Sequence, residues 1–174
     1  EEEYDDPFGL PTGAAVIFGA TGGVMEAALR TVYEVVTGKT LPLLDFKDVR
    51  GLEGIKEATV DLDGTPVKVA VAHTLANARK LVELIKSGKS DYAFIEIMCC
   101  PGGCIGGAGQ PYGTTNEVRR QRIAAIYEAD SDLPIRKSHE NPAIKKLYEE
   151  FLGKPLGEKS HHLLHTHYFN RKKA

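Results

Sequence analysis

Tyr92-Ala-Phe-Ile-Glu-Ile-Met98, continued by Cys99-Cys-Pro-Gly-Gly-Cys-Ile-Gly-Gly-Ala-Gly-Gln-Pro111, decides how this chain reads. The first seven residues are a continuous apolar run of the kind buried in the middle of a sheet. The loop that follows holds all three cysteines of the 174-residue chain, at 99, 100 and 104. In open α/β sheets, ligands collect beyond the carboxyl ends of the strands, so the loop leaves where chemistry is expected. Thiols gathered this tightly bind something together, and the glycines around them let backbone approach it.

The flanking segments supply the rest of an α/β pattern. Ala58-Thr-Val-Asp-Leu62, the turn Asp63-Gly64 and Val67-Lys-Val-Ala-Val71 predict a hairpin. A helix over 75–86 follows, with Leu75, Ala78, Val82 and Ile85 on one face and Gly88 as its stop. Upstream, Ala14-Ala-Val-Ile-Phe18 reads as a short buried strand running into Gly19-Ala-Thr-Gly-Gly23 and then a helix. Thr21 is the expected N-cap there, and Gly38 the end. Residues 1–12 read as a loop or entry arm and 41–56 as mostly connection. Further helices are expected over 115–128 and 143–151, the second with Asn141 as N-cap and Pro142 at its first position. The remainder, with His161, His162, His165 and His167, is expected to be extended. Together these predict a mainly parallel sheet flanked by helices, with an extended C-terminal tail.

Composition narrows the function. The chain is 42% hydrophobic and 26% charged, with a formal net charge of -2, ordinary values for one compact domain or a lobe of a larger one. No global basic field favours nucleic acid, and Arg119, Arg120 and Arg122 read as one solvated helix face. No apolar stretch reaches the roughly 20 residues needed to span a bilayer. No signal peptide is visible, and the chain opens without an initiator methionine, as a piece of a longer protein would. An odd number of cysteines, two of them adjacent, suits no disulfide framework. A reducing, cytoplasmic setting is therefore expected.

Thiolate is a good ligand for iron, and a cubane of four irons and four sulfides takes four cysteines. Three thiols cannot complete one, so other ligands must come from elsewhere. Three readings compete with an iron-sulfur site: incidental thiols on a tight turn, a redox dithiol, and structural zinc. The dithiol lacks the usual C-x-x-C spacing. Zinc would need a second ligand pair, for which only the four C-terminal histidines are available. The turn Gly19-Ala-Thr-Gly-Gly23 reads either as a plain strand-to-helix turn or as an anion site made by free N–H groups and the helix dipole.

Glu96 and Met98 through Pro111 resemble the third cluster-binding signature of the [FeFe] hydrogenases, Glu-x-Met-x-Cys-Pro-Gly-Gly-Cys with a glycine-rich Gln-Pro end. Gly13-Ala-Ala-Val-Ile-Phe-Gly-Ala-Thr-Gly-Gly-Val-Met-Glu-Ala-Ala-Leu-Arg-Thr31 is similar to the same family's glycine turn and helix. The stretch from Asn141-Pro-Ala-Ile-Lys-Lys-Leu-Tyr148 to His165-Thr-His-Tyr168 resembles its C-terminal segment, a separate small subunit in some members. The resemblance divides the chain at 1–111, a large-subunit part, and 112–174, a small-subunit-like part. Ala108 stands where the family usually has glycine.

The resemblance implies an H-cluster, a 4Fe-4S cubane bridged to a diiron subcluster. Cys100 would ligate the cubane, Cys104 would ligate it and bridge to the diiron unit, and Cys99 would be a bystander. Met98 and Phe18 would line the diiron pocket, with Gly19, Thr21, Gly22 and Val24 in the turn that closes over it. The family draws its other two cubane cysteines from signatures of the type Thr-Ser-Cys-Cys-Pro and Met-Pro-Cys, neither present here. The implied activity is reversible oxidation of H2 by a lobe that is inactive alone. The implied partners are the N-terminal half of the same catalytic domain and, in the intact enzyme, ferredoxin or an NAD(P)-linked electron-transfer subunit. Two other classes stay open: a non-catalytic iron-sulfur binding or assembly protein, and an interaction fragment whose uncovered apolar face forms a homodimer.

Overall fold

The computed structural model describes residues 10–169, and its contacts divide into two units, Pro11–Ser138 and 139–169 with Leu10. In the larger unit, β1 (Ile55–Asp61) and β2 (Pro66–His73) form the expected hairpin. The turn residues Asp63 and Gly64 both have positive φ, at 55° and 90°, the pattern of a tight two-residue hairpin. The chain then crosses through α3 (Leu75–Lys86) to β3 (Phe94–Met98), which pairs parallel to β2. The strand order is β1-β2-β3.

The α/β class holds, and the sheet is mixed rather than mainly parallel. A two-residue turn can only join antiparallel strands, while the α3 crossover returns β3 parallel. β3 also differs from the strand expected in mid-sheet. It lies at the edge, with Phe94 45% and Ile97 43% exposed, and among the described residues β2 is its one neighbour. An apolar run marks a strand that can be covered on both faces, without saying which chain covers it.

Alternation along β2 explains the layers. Val69 and Val71 point to the face covered by Met25 and Leu29 of α2 (Gly23–Thr37), with Val49 and Val60 in the same cluster. Ala70 and Ala72 point to the other face, beneath Leu81 of α3. Each large side chain fully removed from water here contributes about 1.5–3 kcal/mol. A third cluster joins Ala14, Ile17, Ala20 and Ala27 to Tyr127 of α4 (Asn116–Asp132). The segment 14–18, expected as a strand, is helical: α1 (Gly13–Val16) continues as a 3-10 turn over Ile17–Gly19. Five apolar residues are too few to set a period. Here the Thr12 hydroxyl decides it by accepting from Ala15 N at 3.2 Å.

Behind α2 lies a buried ionic network. Arg30, fully buried, uses all five of its N–H donors. It donates to both Asp130 oxygens at 2.8 Å, to Glu26 at 2.8 Å, and to the carbonyls of Leu44 and Arg136 at 2.9 Å. Arg50 binds Glu26 at 2.6 and 2.8 Å and Asp45 at 3.0 Å. Arg136 binds Asp130 at 2.6 Å and Asp45 at 3.0 Å. Three cations thus meet three carboxylates across α2, α4 and the 41–50 connection.

In the smaller unit, α5 (Pro142–Leu147) begins as expected. The Asn141 side chain accepts from Ala143 N at 3.0 Å, and Pro142 sits in the first turn. The helix continues as a π turn over Tyr148–Leu152. The tail expected to be extended instead forms α6 (Glu158–Leu164). The Ser160 hydroxyl donates to Lys154 O and Gly157 O at 2.9 Å, tying its first turn to the preceding loop. The four histidines are exposed, and the rings of His161 and His165 lie 4.3 Å apart. Among the described residues, no helix is long and apolar enough to cross a membrane.

Burial alone would raise the Asp130 carboxyl, but hydrogen bonds from Arg30 and Arg136 outweigh it and hold the group below its ordinary value of 3.8. A depressed folded-state value stabilises above pH 3.8 and ceases to do so as pH falls through it. Asp130→Ala is therefore expected to lower the unfolding free energy by about 3–5 kcal/mol at neutral pH, measured by urea denaturation. The gap should narrow below pH 3.8. Breaking the exposed Lys39–Asp63 pair with Lys39→Ala should leave the midpoint in place.

Candidate metal-cluster site

β2 and β3 end side by side, with His73 paired to Met98. Thr74, at φ 74°, donates its N–H to Met98 O at 2.8 Å, pinning the last residue of β3 by a strained backbone. The cysteine loop starts there. It folds back on itself through Gly103 N to Cys100 O, Gly106 N to Gly103 O and Gly107 N to Cys104 O, each 3.0 Å. Cys99 and Cys104 are exposed, Cys100 is half-buried, and all three thiols are free. A Cβ on Gly107 would sit 3.0 Å from Cys100 Sγ, so the loop leaves the thiol room that a larger residue would take.

The glycine turn meets this loop directly. Thr21 N donates to Gly102 O at 3.0 Å. At Gly103, with φ 95°, a Cβ would stand 2.8 Å from Thr21 N and 2.9 Å from both Gly19 O and Met98 Sδ. Only a residue without a side chain admits this approach. Gly19, Thr21 and Met98 are thereby brought together with the segment between Cys100 and Cys104. Phe18 is 46% exposed on its 3-10 turn, and Val24 is half-buried in the first turn of α2.

Thr21 is not the N-cap of α2. That position is Gly22, in a left-handed conformation with no side chain to offer. The cap comes from β3: Glu96 Oε1 accepts from Gly22 N and Oε2 from Met25 N, both at 2.7 Å. Free amides at a helix start attract an anion, and here the anion is internal. The anion-site reading of the turn thus finds at least two of its donors already taken. Thr21 Oγ1 is left buried with no hydrogen-bond partner among the described residues.

Lys56 supports the turn from below, donating Nζ to Thr21 O at 3.1 Å and Gly51 O at 2.9 Å. The arginines of α4 do not form one solvated face. Arg122 donates to Ile105 O at 2.6 Å, and Arg119 lies against Gly102 and Gly106, with its Nε buried. Arg120 is exposed, 3.4 Å from Glu117. The loop therefore has two cations at its back. The chemistry of the donor set fits iron-sulfur ligation: soft thiols, a backbone-lined cradle and a positive flank.

The Glu96 clamp, Lys56, Arg119 and Arg122 escape sequence reasoning because their partners lie far along the chain. One signal was available. A carboxylate inside an apolar strand must find donors to be buried, and Glu96 is the single charge in 92–98.

Comparison with known proteins agrees with this geometry. Residues 1–108 match the family model described as iron only hydrogenase large subunit, C-terminal domain, and residues 116–171 match iron hydrogenase small subunit. The chain is 55% identical over 174 residues to the NADP-reducing hydrogenase subunit HndD of Solidesulfovibrio fructosivorans, covering 99% of this chain and 30% of that one. A probable cytosolic Fe-S cluster assembly factor of Drosophila willistoni is 37% identical over 151 residues, covering 85% and 31%. Among solved structures, a variant of [FeFe]-hydrogenase HydA1 from Chlamydomonas reinhardtii superposes with a TM-score of 0.71 at 45% identity. That match covers 97% of this chain and 49% of the other. The chain thus spans about a third of the curated relatives and half of the solved one.

Burial pushes the Lys56 ammonium from its ordinary 10.5 down to about 8, against the opposing pulls of Glu96 and Glu53. The unfolded chain keeps this proton up to 10.5, whereas the folded chain releases it above about 8. The unfolded state then binds more protons, so stability rises between those pH values. Lys56→Met should flatten that rise, worth about 3 kcal/mol, in unfolding free energies measured across pH 8 to 10.5.

Proposed function

Because this chain belongs to the iron-only hydrogenase family, through the C-terminal domain of its large subunit, we propose that it forms one wall of an H-cluster site in an enzyme of H2 oxidation and proton reduction. The family implies the H-cluster, with its 4Fe-4S and diiron parts. The observation that carries the reading is the close approach at Gly103, which unites Gly19, Thr21 and Met98 with the loop of Cys100 and Cys104. When bound, the cluster supplies the iron centre at which H2 is split and the cubane through which electrons leave.

The protein's own share is binding, orientation and exclusion of water. Cys100 and Cys104 would hold the cubane as thiolates, and Cys104 would also serve the diiron unit. Met98 and Phe18 line the diiron pocket, and Gly19, Thr21, Gly22 and Val24 close the turn against it. Arg119 and Arg122 brace the cysteine loop from behind. Cys99 is outside this set.

Two thiolates do not complete a cubane, so the N-terminal half of the catalytic domain supplies the others. In this proposal that half also covers the open side of the site, where Phe18 stands 46% exposed. Residues 1–111 belong to the large-subunit part and 112–174 to the small-subunit-like part. Electrons pass to ferredoxin or an NAD(P)-linked subunit, the latter supported by likeness to an NADP-reducing hydrogenase subunit. The setting is cytoplasmic, where free thiols stay reduced. Higher identity to the hydrogenase relative than to the assembly factor, 55% against 37%, favours catalysis over cluster assembly.

Maturation of the protein together with the N-terminal half is expected to give infrared bands of iron-bound carbonyl and cyanide. Cys100→Ser and Cys104→Ser should each abolish those bands and lower iron content, whereas Cys99→Ser should retain both. Wild-type protein that loads iron but never shows the bands would remove the diiron unit from this reading.

A further inference from the structure

Glu96 sits two residues before Met98 on the same face of β3, and its carboxylate crosses to another element. An N-cap ordinarily comes from the residue just before the helix, which fixes the helix end relative to its own chain. Here the capping side chain belongs to the strand that carries the cysteines. Glu96 is 6% exposed, and its two bonds at 2.7 Å reach residues 74 and 71 positions away. The position of the α2 start is thereby dictated by β3.

The clamp has a matching support. Lys56 holds the Thr21 carbonyl at 3.1 Å, close enough to Glu96 to interact with its charge. Thr21 N in turn donates to Gly102 O at 3.0 Å. From Glu96 to Gly22, Thr21 and Gly102, the path returns to the loop that begins three residues after Glu96. The circuit is closed. Its one carboxylate is that of Glu96.

We infer that Glu96 is a positioning residue for the site proposed above: its carboxylate fixes the glycine turn against the cysteine loop, so that Thr21, Met98 and the two thiols meet one ligand at set separations. The inference rests on that functional reading for its consequence, but the coupling can be measured without any cluster. Gln at this position offers one oxygen where two are used. Asp keeps both oxygens and the charge on a side chain one methylene shorter, so it fails in reach.

Amide hydrogen exchange on the cluster-free protein gives the first test. In Glu96→Gln, protection at Gly22 and Met25 should fall about tenfold or more, the loss expected for a charge-assisted bond. Protection at Thr21, which Glu96 does not touch, should fall with it. A Thr21 amide that stays protected would reduce Glu96 to a local cap and overturn the inference. The second test uses the matured protein with its N-terminal half. Glu96→Asp should shift the cyanide stretching bands and the cubane midpoint potential in the same direction as Glu96→Gln. If Glu96→Asp gives wild-type bands and potential, charge rather than position is what matters, and the inference fails. Where the Gln variant does not fold, the Asp variant carries both measurements. Wild-type protein without carbonyl and cyanide bands would overturn the H-cluster reading, a result separate from the exchange data.

Discussion

Glu96 enters the core in the middle of an apolar strand, and a charge there is tolerable because two helix-end amides donate to its carboxylate. Everything at the site depends on this exchange of needs. The N-cap of helix α2 is Gly22, which has no side chain, so the Gly22 and Met25 amides would be unsatisfied without the carboxylate. The carboxylate would be stranded without the amides. Each solves the other's desolvation problem, and the solution sets the glycine turn beside the strand from which the thiols depart. Lys56 adds a nearby positive charge and holds the turn's carbonyl.

The buried network behind α2 works by a similar logic at larger scale. Arg30 has every donor engaged, and its partners come from α2, α4 and two connections. Such a group adds little net stability over a well-packed apolar core, but any single deletion leaves the three-against-three set with one charge in excess and hydrogen-bonding groups unfilled. Its value here is angular. The planar guanidinium holds α4 against α2 in one arrangement, and α4 is the helix whose Arg119 and Arg122 lie behind the cysteine loop. The ionic core and the loop are connected through one rigid element.

Sequence reading recovers what is local. The hairpin follows from Asp63-Gly64 between alternating strands, α3 from its apolar stripe, and α5 from Asn141-Pro142, because each signal and its effect lie within a few residues. The cysteine loop and the glycine turn also stand out, since tight chemistry leaves tight spacing. What fails is set by distant partners. Ala14 to Phe18 is a helix because Thr12 caps it. β3 is an edge strand because sheet order is a tertiary fact. Arg119 and Arg122 are half-buried because the loop lies against them. Glu96 lies between these cases: its burial calls for donors, but nothing near it says they belong to residues more than 70 positions earlier.

The same separation makes the site costly to assemble. Contacts between Glu96 and the start of α2 close a span of more than 70 residues, and the hairpin, α3 and β3 lie within that span. While a nascent chain is still building its sheet, the thiols and the glycine turn belong to separate pieces of structure. The geometry that suits a metal cluster therefore depends on long-range closure rather than on either segment alone. A chain in which that closure is unmade still holds its cysteines together in one loop, but offers a metal cluster no glycine turn against them.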